Sequence, residues 1–292
     1  MRRMELSEAR VRAAVETNEQ LEACLGSGKT QLIWLDSAEF SPGEYAVCVE
    51  KVHAAGMLCG LRTPYIWRRE AEQFFDASLE MLKRAGFDAW LFRNTEGALY
   101  FIEHGLTEKT PFVTDHSLYV WNREAEKILL EMLGTVPAGL TLPLELSGKE
   151  LEQLAAQIRT PAPGSQHSSG PQPQPELVVY GRAPMMVSAQ CLKKTSGGCG
   201  KGEEELLFLR DRTGVRMPVR NYCRFCYNII YNAVPTVLYD LDRELARISP
   251  QAYRYEFSTE SAAETFAVLE GHVPDRAGAS AGFTRGHLHR GV

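Results

Sequence analysis

Short apolar runs alternate along the chain with longer segments whose apolar residues recur every three to four positions. The runs are Val11–Val15, Leu32–Leu35, Met57–Leu61, Ala89–Phe92, Pro111–Thr114, Gly139–Leu142, Leu177–Tyr180 and Tyr253–Phe257. Their length and their flanking turn residues predict buried strands. Between most of them lie segments with helical spacing: Glu19–Leu25, Pro42–Ala55, Glu70–Ala85, Thr95–His104, Arg123–Leu133, Gly148–Ile158 and Glu260–Gly271. Several follow a capping or turn residue, as at Ser147-Gly148 and Ser258-Thr259. A strand followed by a helix must cross over to reach a parallel neighbour, so the alternation predicts a parallel α/β sheet. Eight such strands predict a closed (β/α)8 TIM-like barrel, and the GxGxxG turn of open dinucleotide-binding sheets is missing. The barrel rule then puts the residues at the strand ends on the active-site rim. These are Asp36, Pro64, Tyr65, Arg93, Asn94, Asp115, Ser117, Glu145, Gly181, Arg182 and Glu256.

Two segments break the alternation. Residues 160–175 (TPAPGSQHSSGPQPQP) are rich in Pro, Gln, Ser and Gly and are expected to form a disordered surface loop. Residues 183–249 form a long excursion between strands seven and eight. Inside it, Leu206–Val219 carries a hairpin signal with Asp211–Gly214 as the turn. An insertion of that length at the catalytic end of a barrel is expected to serve function. The predicted organisation is one barrel domain over residues 1–273, with a C-terminal tail over 274–292.

Composition changes this picture little: 44% of residues are apolar and 24% charged, as in ordinary globular domains. The formal charge of −5 argues against a basic field over the whole surface. Locally the balance reverses. Between Arg182 and Arg224 nine Lys and Arg residues face four acids, an excess that could meet phosphates or could simply solvate a charged face. The N-terminus has no apolar run typical of a signal peptide, and no stretch approaches the roughly 20 apolar residues of a membrane span. A cytoplasmic protein without a membrane partner is expected.

Cysteine placement is more informative. Four of the seven, Cys191, Cys199, Cys223 and Cys226, fall inside the excursion. Cys24, Cys48 and Cys59 are scattered among apolar neighbours and read as core residues. In a reducing compartment clustered thiols favour metal or redox chemistry over disulfides. Thiolates hold iron–sulfur clusters or zinc, and the CxxC spacing of Cys223 and Cys226 suits either. Signatures of hydrolysis are missing, with neither a GxSxG elbow nor an HExxH helix. Asp115-His116 at the fifth strand end could be an acid–base unit or a capped loop. The ending from Phe283 to Val292 gathers two His and two Arg, either as a loose basic end or as a tail folding back over the barrel mouth.

Three stretches together resemble the peptidase U32 (collagenase-like) family. They are Glu176–Cys191 (ELVVYGRAPMMVSAQC), the segment Leu209-Arg210-Asp211-Arg212-Thr213-Gly214 with its following Pro218-Val219 and cysteine pair, and the close Thr284-Arg285-Gly286-His287 with Arg290-Gly291-Val292. The likeness is looser over the first 160 residues, where Leu35-Asp36-Ser37, Pro64-Tyr65-Ile66 and Leu118–Asn122 are similar to the long form of the family, whose C-terminal part is such a barrel. The resemblance implies a TIM-like barrel and an iron–sulfur cluster, 4Fe-4S in type, held by Cys191, Cys199, Cys223 and Cys226. The second pair is CxxC and lies farther from the first than is commonest in the family. Relatives hydroxylate bases in transfer or ribosomal RNA or act in oxygen-independent ubiquinone hydroxylation. The implied activity is therefore RNA base hydroxylation, with RNA and an electron donor as partners. Arg182, Lys193, Lys194, Arg285 and Arg290 are the expected phosphate or carboxylate contacts, and Asp115 and His287 the expected proton-transfer groups. The competing expectations are a collagenase-like peptidase and a non-catalytic module stabilised by zinc.

Overall fold

A computed structural model describes residues 4–160, 170–199, 206–274 and 282–291 of the chain. Eight parallel strands close into a barrel: β1 (Val11–Val15), β2 (Leu32–Asp36), β3 (Leu58–Arg62), β4 (Ala89–Phe92), β5 (Phe112–Thr114), β6 (Gly139–Thr141), β7 (Gln174–Gly181) and β13 (Ala252–Glu256). Each pairs with the next, β6 pairs with β7, and β7 and β1 both pair with β13, so no open edge remains. The chain is a (β/α)8 TIM barrel. Helices α1 (Asn18–Ser27), α2 (Tyr45–Ala54), α3 (Arg69–Ala85), α4 (Thr95–Glu103), α5 (Arg123–Leu133), α6 (Gly148–Ile158) and α9 (Ala262–Leu269) follow the strands.

Local chemistry sets the helix ends. Thr17, Ser147 and Ser261 each accept from the third residue of their helix, whose Gln or Glu side chain returns the bond to the cap backbone. Two backbone N–H groups that the helix cannot satisfy are thereby paired at each start. The element boundaries agree with the apolar pattern to within a residue or two, except that α2 begins at Tyr45 and β7 begins at Gln174.

Two apolar layers form. Side chains on the outer faces of the strands meet the helices in the main core, which includes Ile33, Leu35, Phe75, Phe92, Phe101 and Leu154. Inside the barrel a smaller cluster of Ala14, Leu32, Trp34, Leu58, Ala89, Leu91 and Val113 fills the lower half. Trp34 lies opposite Gly60 on β3, whose missing side chain makes room for the indole. Above this plug the inward positions turn polar: Glu16, Asp36, Arg62, Arg93, Asp115 and Glu256 are the next residues up their strands.

The excursion forms a second, antiparallel sheet of β8 (Pro184–Ser188), β9 (Leu207–Arg210), β10 (Arg216–Tyr222) and β11 (Tyr227–Tyr231), in the order β8-β11-β10-β9. The predicted hairpin is β9–β10, its turn made by Asp211 accepting from the backbone N–H groups of Thr213 and Val215. Then come the two-residue β12 (Thr236–Val237), paired antiparallel to the end of β7, and α8 (Asp242–Ile248). The predicted loop over 160–175 is corrected at its far end. Gln174 and Pro175 belong to β7, paired with Gly139 and Leu140, because barrel closure requires β7 to reach β6. Positions 161–169 of that loop lie outside the described residues. The tail expected over 274–292 is docked over its described part. Thr284 bridges to Thr236, the backbone N–H of Gly148 donates to the Leu288 carbonyl (2.7 Å), and Leu288 is buried. Among the described residues no helix is long and apolar enough to cross a membrane.

One helix carries a titration. Glu126 on α5 is buried, and one carboxylate oxygen has no partner. Burial pushes its carboxyl up to about 7, against a smaller lowering by Arg123. A carboxyl raised in the folded state stabilises fully below its ordinary range near 4 and loses that contribution as pH climbs through the raised value. Glu126→Gln is therefore expected to stabilise the protein by about 1 kcal/mol at pH 8 and by almost nothing at pH 4. Urea unfolding of both proteins at the two pH values checks this, and a stabilisation equal at both would exclude the titration.

Candidate active site at the barrel mouth

The polar upper layer is a continuous ion network. Arg62, 3% exposed at the end of β3, reaches Glu16 (2.8 Å), Asp36 (2.7 Å) and Glu256 (2.5 Å). Arg93 donates to the same Asp36 oxygen (2.8 Å). Arg254, fully buried on β13, is paired with Asp115, Glu176 and Glu256 and donates to Thr141 Oγ1 (3.1 Å). Arg12 adds a second guanidinium to Glu176 (2.6 Å). Charges withdrawn from water this far are costly unless paired and hydrogen-bonded; the network shares Glu16, Asp36, Glu176 and Glu256 between two arginines each and pairs Asp115 with Arg254.

The network separates its acids. Burial would raise Asp36, but Arg93 and Arg62 hold its carboxyl below the usual range. Burial would also raise Asp115, yet His116, Arg254 and Arg93 pull it well below that range. In Glu16 burial wins over Arg220 and Arg62, and its carboxyl is raised. Environments that push neighbouring acids apart are how one site acquires separate proton-holding and permanently ionised groups. Glu16 also accepts from the Tyr222 hydroxyl (2.8 Å), which is hydrogen-bonded to the Tyr231 hydroxyl (2.6 Å). A chain of exchangeable protons thus runs from Glu16 to Tyr231, and both ends line the cavity.

That cavity, about 440 Å³, lies between the barrel mouth, the small sheet and the tail. Glu16, Arg62, Arg93, His116 and Glu256 make its polar side, and Leu144, Leu146, Leu177, Leu238, Leu288 and Met185 its apolar side. The small sheet is fastened to the rim. Arg220 meets Glu16 (3.2 Å) and Glu39 (3.5 Å), and Arg224 donates to the carbonyls of Ser37 and Phe40 (2.6 Å each). Phe225 packs edge-on against Phe74 and parallel to Phe75 on the flank of α3. Gly181 ends β7 at φ 147° with Glu256 against it, where any Cβ would lie 2.6 Å from the Glu256 Cβ.

The sequence-derived residues have the following places. Most of the rim set lies around the cavity or the adjoining groove, with Tyr65, Arg93 and Glu145 lining both, as does His116 from outside that set. Asp115 is locked to Arg254, so its carboxylate holds a guanidinium at the mouth. His116 beside it stands 3.5 Å from the Tyr65 hydroxyl through Nε2. Arg182 lines the cavity with its guanidinium engaged by Thr259 Oγ1 (3.0 Å) and the carbonyls of Asn232 (3.2 Å) and Ala233. Arg285 likewise grips both oxygens of Asp240 and the Val237 carbonyl (2.8 Å). An incoming phosphate would compete with these acceptors. His287 lines the cavity from the tail, with Nδ1 3.1 Å from the Gly291 carbonyl oxygen. Arg290 is exposed, and Lys193 and Lys194 lie on the short helix α7 (Leu192–Ser196).

Cys24, Cys48 and Cys59 are buried, and burial pushes the Cys24 thiol up to about 12. Cys191 is half-buried at the start of α7, while Cys199, Cys223 and Cys226 are exposed. The backbone N–H of Leu192 donates to Asn228 Oδ1 (3.3 Å), which ties the Cys191 segment to the strand just after Cys226. Four accessible thiols on joined segments of one small sheet fit a thiolate-held cluster in donor chemistry. Among the described residues no three His, Cys, Asp or Glu side chains are assembled to hold a metal ion.

Sequence reasoning missed Glu16, Arg62, Arg254, Arg220, Tyr222 and Tyr231. A signal existed for three of them: Glu16, Arg62 and Arg254 interrupt or end apolar strand runs at inward positions, where an ordinary barrel places aliphatic residues.

No protein-family profile matches this chain, and no curated protein sequence is significantly similar to it. Remote likeness to solved barrel structures is found. The YdjI aldolase from Escherichia coli is 9% identical with a TM-score of 0.39, the match covering 58% of this chain and 65% of that one. The first of these neighbours is thus matched over less than two thirds of its length. A glycerol uptake operon antiterminator-related protein from Thermotoga maritima is 12% identical with a TM-score of 0.36, covering 58% of this chain and 82% of that one. Tryptophan synthase from M. tuberculosis is 10% identical with a TM-score of 0.40, covering 59% and 74%. The barrel assignment rests on this chain's own strand pairing.

Proposed function

We propose that this chain is an enzyme of the peptidase U32 type that hydroxylates a base in transfer or ribosomal RNA. In this reading the base enters the barrel-mouth cavity, and Cys191, Cys199, Cys223 and Cys226 hold an iron–sulfur cluster. The observation that carries the reading is the attachment of the cysteine-bearing sheet to the mouth. Tyr222, immediately before Cys223, donates to Glu16 on the cavity floor, and Arg224, between the paired cysteines, is anchored to the β2–α2 connection. Thiol chemistry and cavity are thereby parts of one unit.

When bound, the cluster would supply electron transfer; with water as the oxygen source, replacing C–H by C–OH releases two protons and two electrons, and an external electron acceptor would take up those electrons. The chain's own residues bind, orient and move protons. The Glu16–Tyr222–Tyr231 chain holds a proton beside the substrate ring, and His116 with Tyr65 offers a second position for one. The docked tail, through Leu288, excludes water from the apolar side. A base paired in a duplex cannot reach such a cavity, so the substrate nucleotide is single-stranded or extruded from its stack. A peptidase reading has less to draw on, because the hydroxyl of Ser258, the serine lining the cavity, has no partner among the described residues.

The test is anaerobic purification followed by iron, zinc and sulfide analysis with a visible spectrum. A brown protein with iron and acid-labile sulfide in equal amounts is expected. Cys191→Ser and Cys223→Ser should each lose most of the iron, and Cys48→Ser none. A colourless protein containing zinc would overturn the cluster, and full iron retention in the first two variants would overturn the ligand assignment. Hydroxylation itself is read by mass spectrometry of nucleosides from cells with and without the intact chain.

A further inference from the structure

Resting on that reading, we propose that Glu145 is the specificity residue of the cavity, accepting N–H bonds from the amino edge of the substrate base. The site then favours a heterocycle with an exocyclic amino group and rejects a quinone, whose ring edge only accepts.

Three carboxylates line the cavity among the described residues, and two are already paired. Glu16 is held by Arg62 and Arg220, and Glu256 by Arg62 and Arg254. Glu145, in the connection between β6 and α6, has no guanidinium partner among the described residues, and its Oε2 is withdrawn from solvent with no hydrogen bond among them. It faces both the main cavity and the adjoining groove, next to His116 and Met185. Ser258, 5% exposed on the β13–α9 connection, lines the same cavity, and its buried hydroxyl oxygen has no partner among the described residues. Buried polar atoms are nearly always satisfied, so two orphans on residues that line one cavity call for a ligand that satisfies them. A carboxylate oxygen accepts, and the ligand must therefore donate.

The surroundings narrow the donor. Arg62, Arg93 and Arg182 line the same cavity and disfavour a cation. The wall formed by Leu144, Leu177, Leu238 and Leu288 suits the face of a flat ring. A neutral planar ring with an N–H edge meets all three conditions. Carboxylates read amino groups of bases in this way elsewhere, as Glu and Asp do with the cytosine amine.

Equilibrium binding to the full-length protein, followed by saturation-transfer NMR at millimolar ligand, tests the assignment. The probes are adenosine, cytidine and guanosine, the amine-dimethylated analogue of each, and a water-soluble benzoquinone. At least one parent nucleoside should bind, with its dimethylated analogue weaker by about tenfold or more, since a site built to accept an N–H rejects the compound lacking it. Glu145→Leu should abolish that difference. Glu145→Gln keeps the side-chain volume should Leu disturb the loop, and is expected to reduce the difference about fivefold by removing the charged acceptor. Absence of nucleoside binding, equal binding of the dimethylated partners, equal competition by benzoquinone, or discrimination that survives in both variants would overturn the role of Glu145. Iron and sulfide are measured on the same samples. Iron-containing protein without discrimination sinks Glu145 alone, and discrimination in iron-free protein sinks the cluster alone.

Discussion

Arg254→Met should destabilise the protein by about 3–5 kcal/mol, the usual cost of removing one partner from a buried ion network. Arg254 is fully buried and joins Asp115, Glu176 and Glu256 across three strands. Glu176 keeps Arg12 in the variant, and Glu256 keeps Arg62. Asp115 loses the one guanidinium within salt-bridge distance among the described residues, which makes it the main source of the penalty. The pH dependence follows from Asp115. Its carboxyl is depressed in the folded protein despite burial, so its contribution is present above the ordinary aspartate range and is lost as pH falls through the depressed value. The gap between parent and variant should therefore be widest near neutral pH and shrink below about pH 4. Urea unfolding at pH 7 and pH 3.5 reads both effects. A variant within about 1 kcal/mol of the parent at pH 7 would show that the network contributes little beyond its own desolvation.

Gly60→Val is expected to cost about 3 kcal/mol or more, at the upper end of overpacking penalties. A Cβ on Gly60 would lie 2.3 Å from the Trp34 ring and 3.0 Å from the Ala89 carbonyl oxygen. Trp34 is fully buried inside the barrel and has no space to withdraw into. The coupling is directly measurable: Gly60→Ala combined with Trp34→Leu should cost less than the sum of the two single changes. Additive costs would mean that the indole is not what forbids a side chain at Gly60.

Alternation of apolar runs with helical spacing pointed to the barrel, because a parallel strand needs a crossover and eight of them without a Gly-rich dinucleotide turn favour closure over an open sheet. Arg123–Leu133 and Gly148–Ile158 were legible to the residue, since Asn122 and Ser147 cap locally and their signals survive without tertiary context. The β9–β10 hairpin was legible for the same reason: Asp211 satisfies the turn from within. Strand-end residues such as Asp36, Arg93 and Glu145 could be placed at the mouth, because strand polarity alone decides which end faces the catalytic side.

The partners of those residues were not legible. Asp115 beside His116 could be an acid–base unit or a capped loop; it caps the turn by accepting from the His116 backbone N–H, and its carboxylate also holds Arg254, 139 positions away. Arg182 and Arg285 read as anion contacts, and the structure adds that Asn232 and Ala233 accept from Arg182 and Asp240 from Arg285, acceptors with which an anion would compete. Tyr222 gave no signal, and it reaches Glu16 across 206 positions. Local periodicity and capping act over a few residues, so the chain by itself determined its elements, their order and the barrel they close. Burial and pairing depend on which residues are brought together after closure. Only the tertiary structure therefore decided which charges are paired with one another and which, like the Glu145 carboxylate, have an oxygen left without a partner among the described residues.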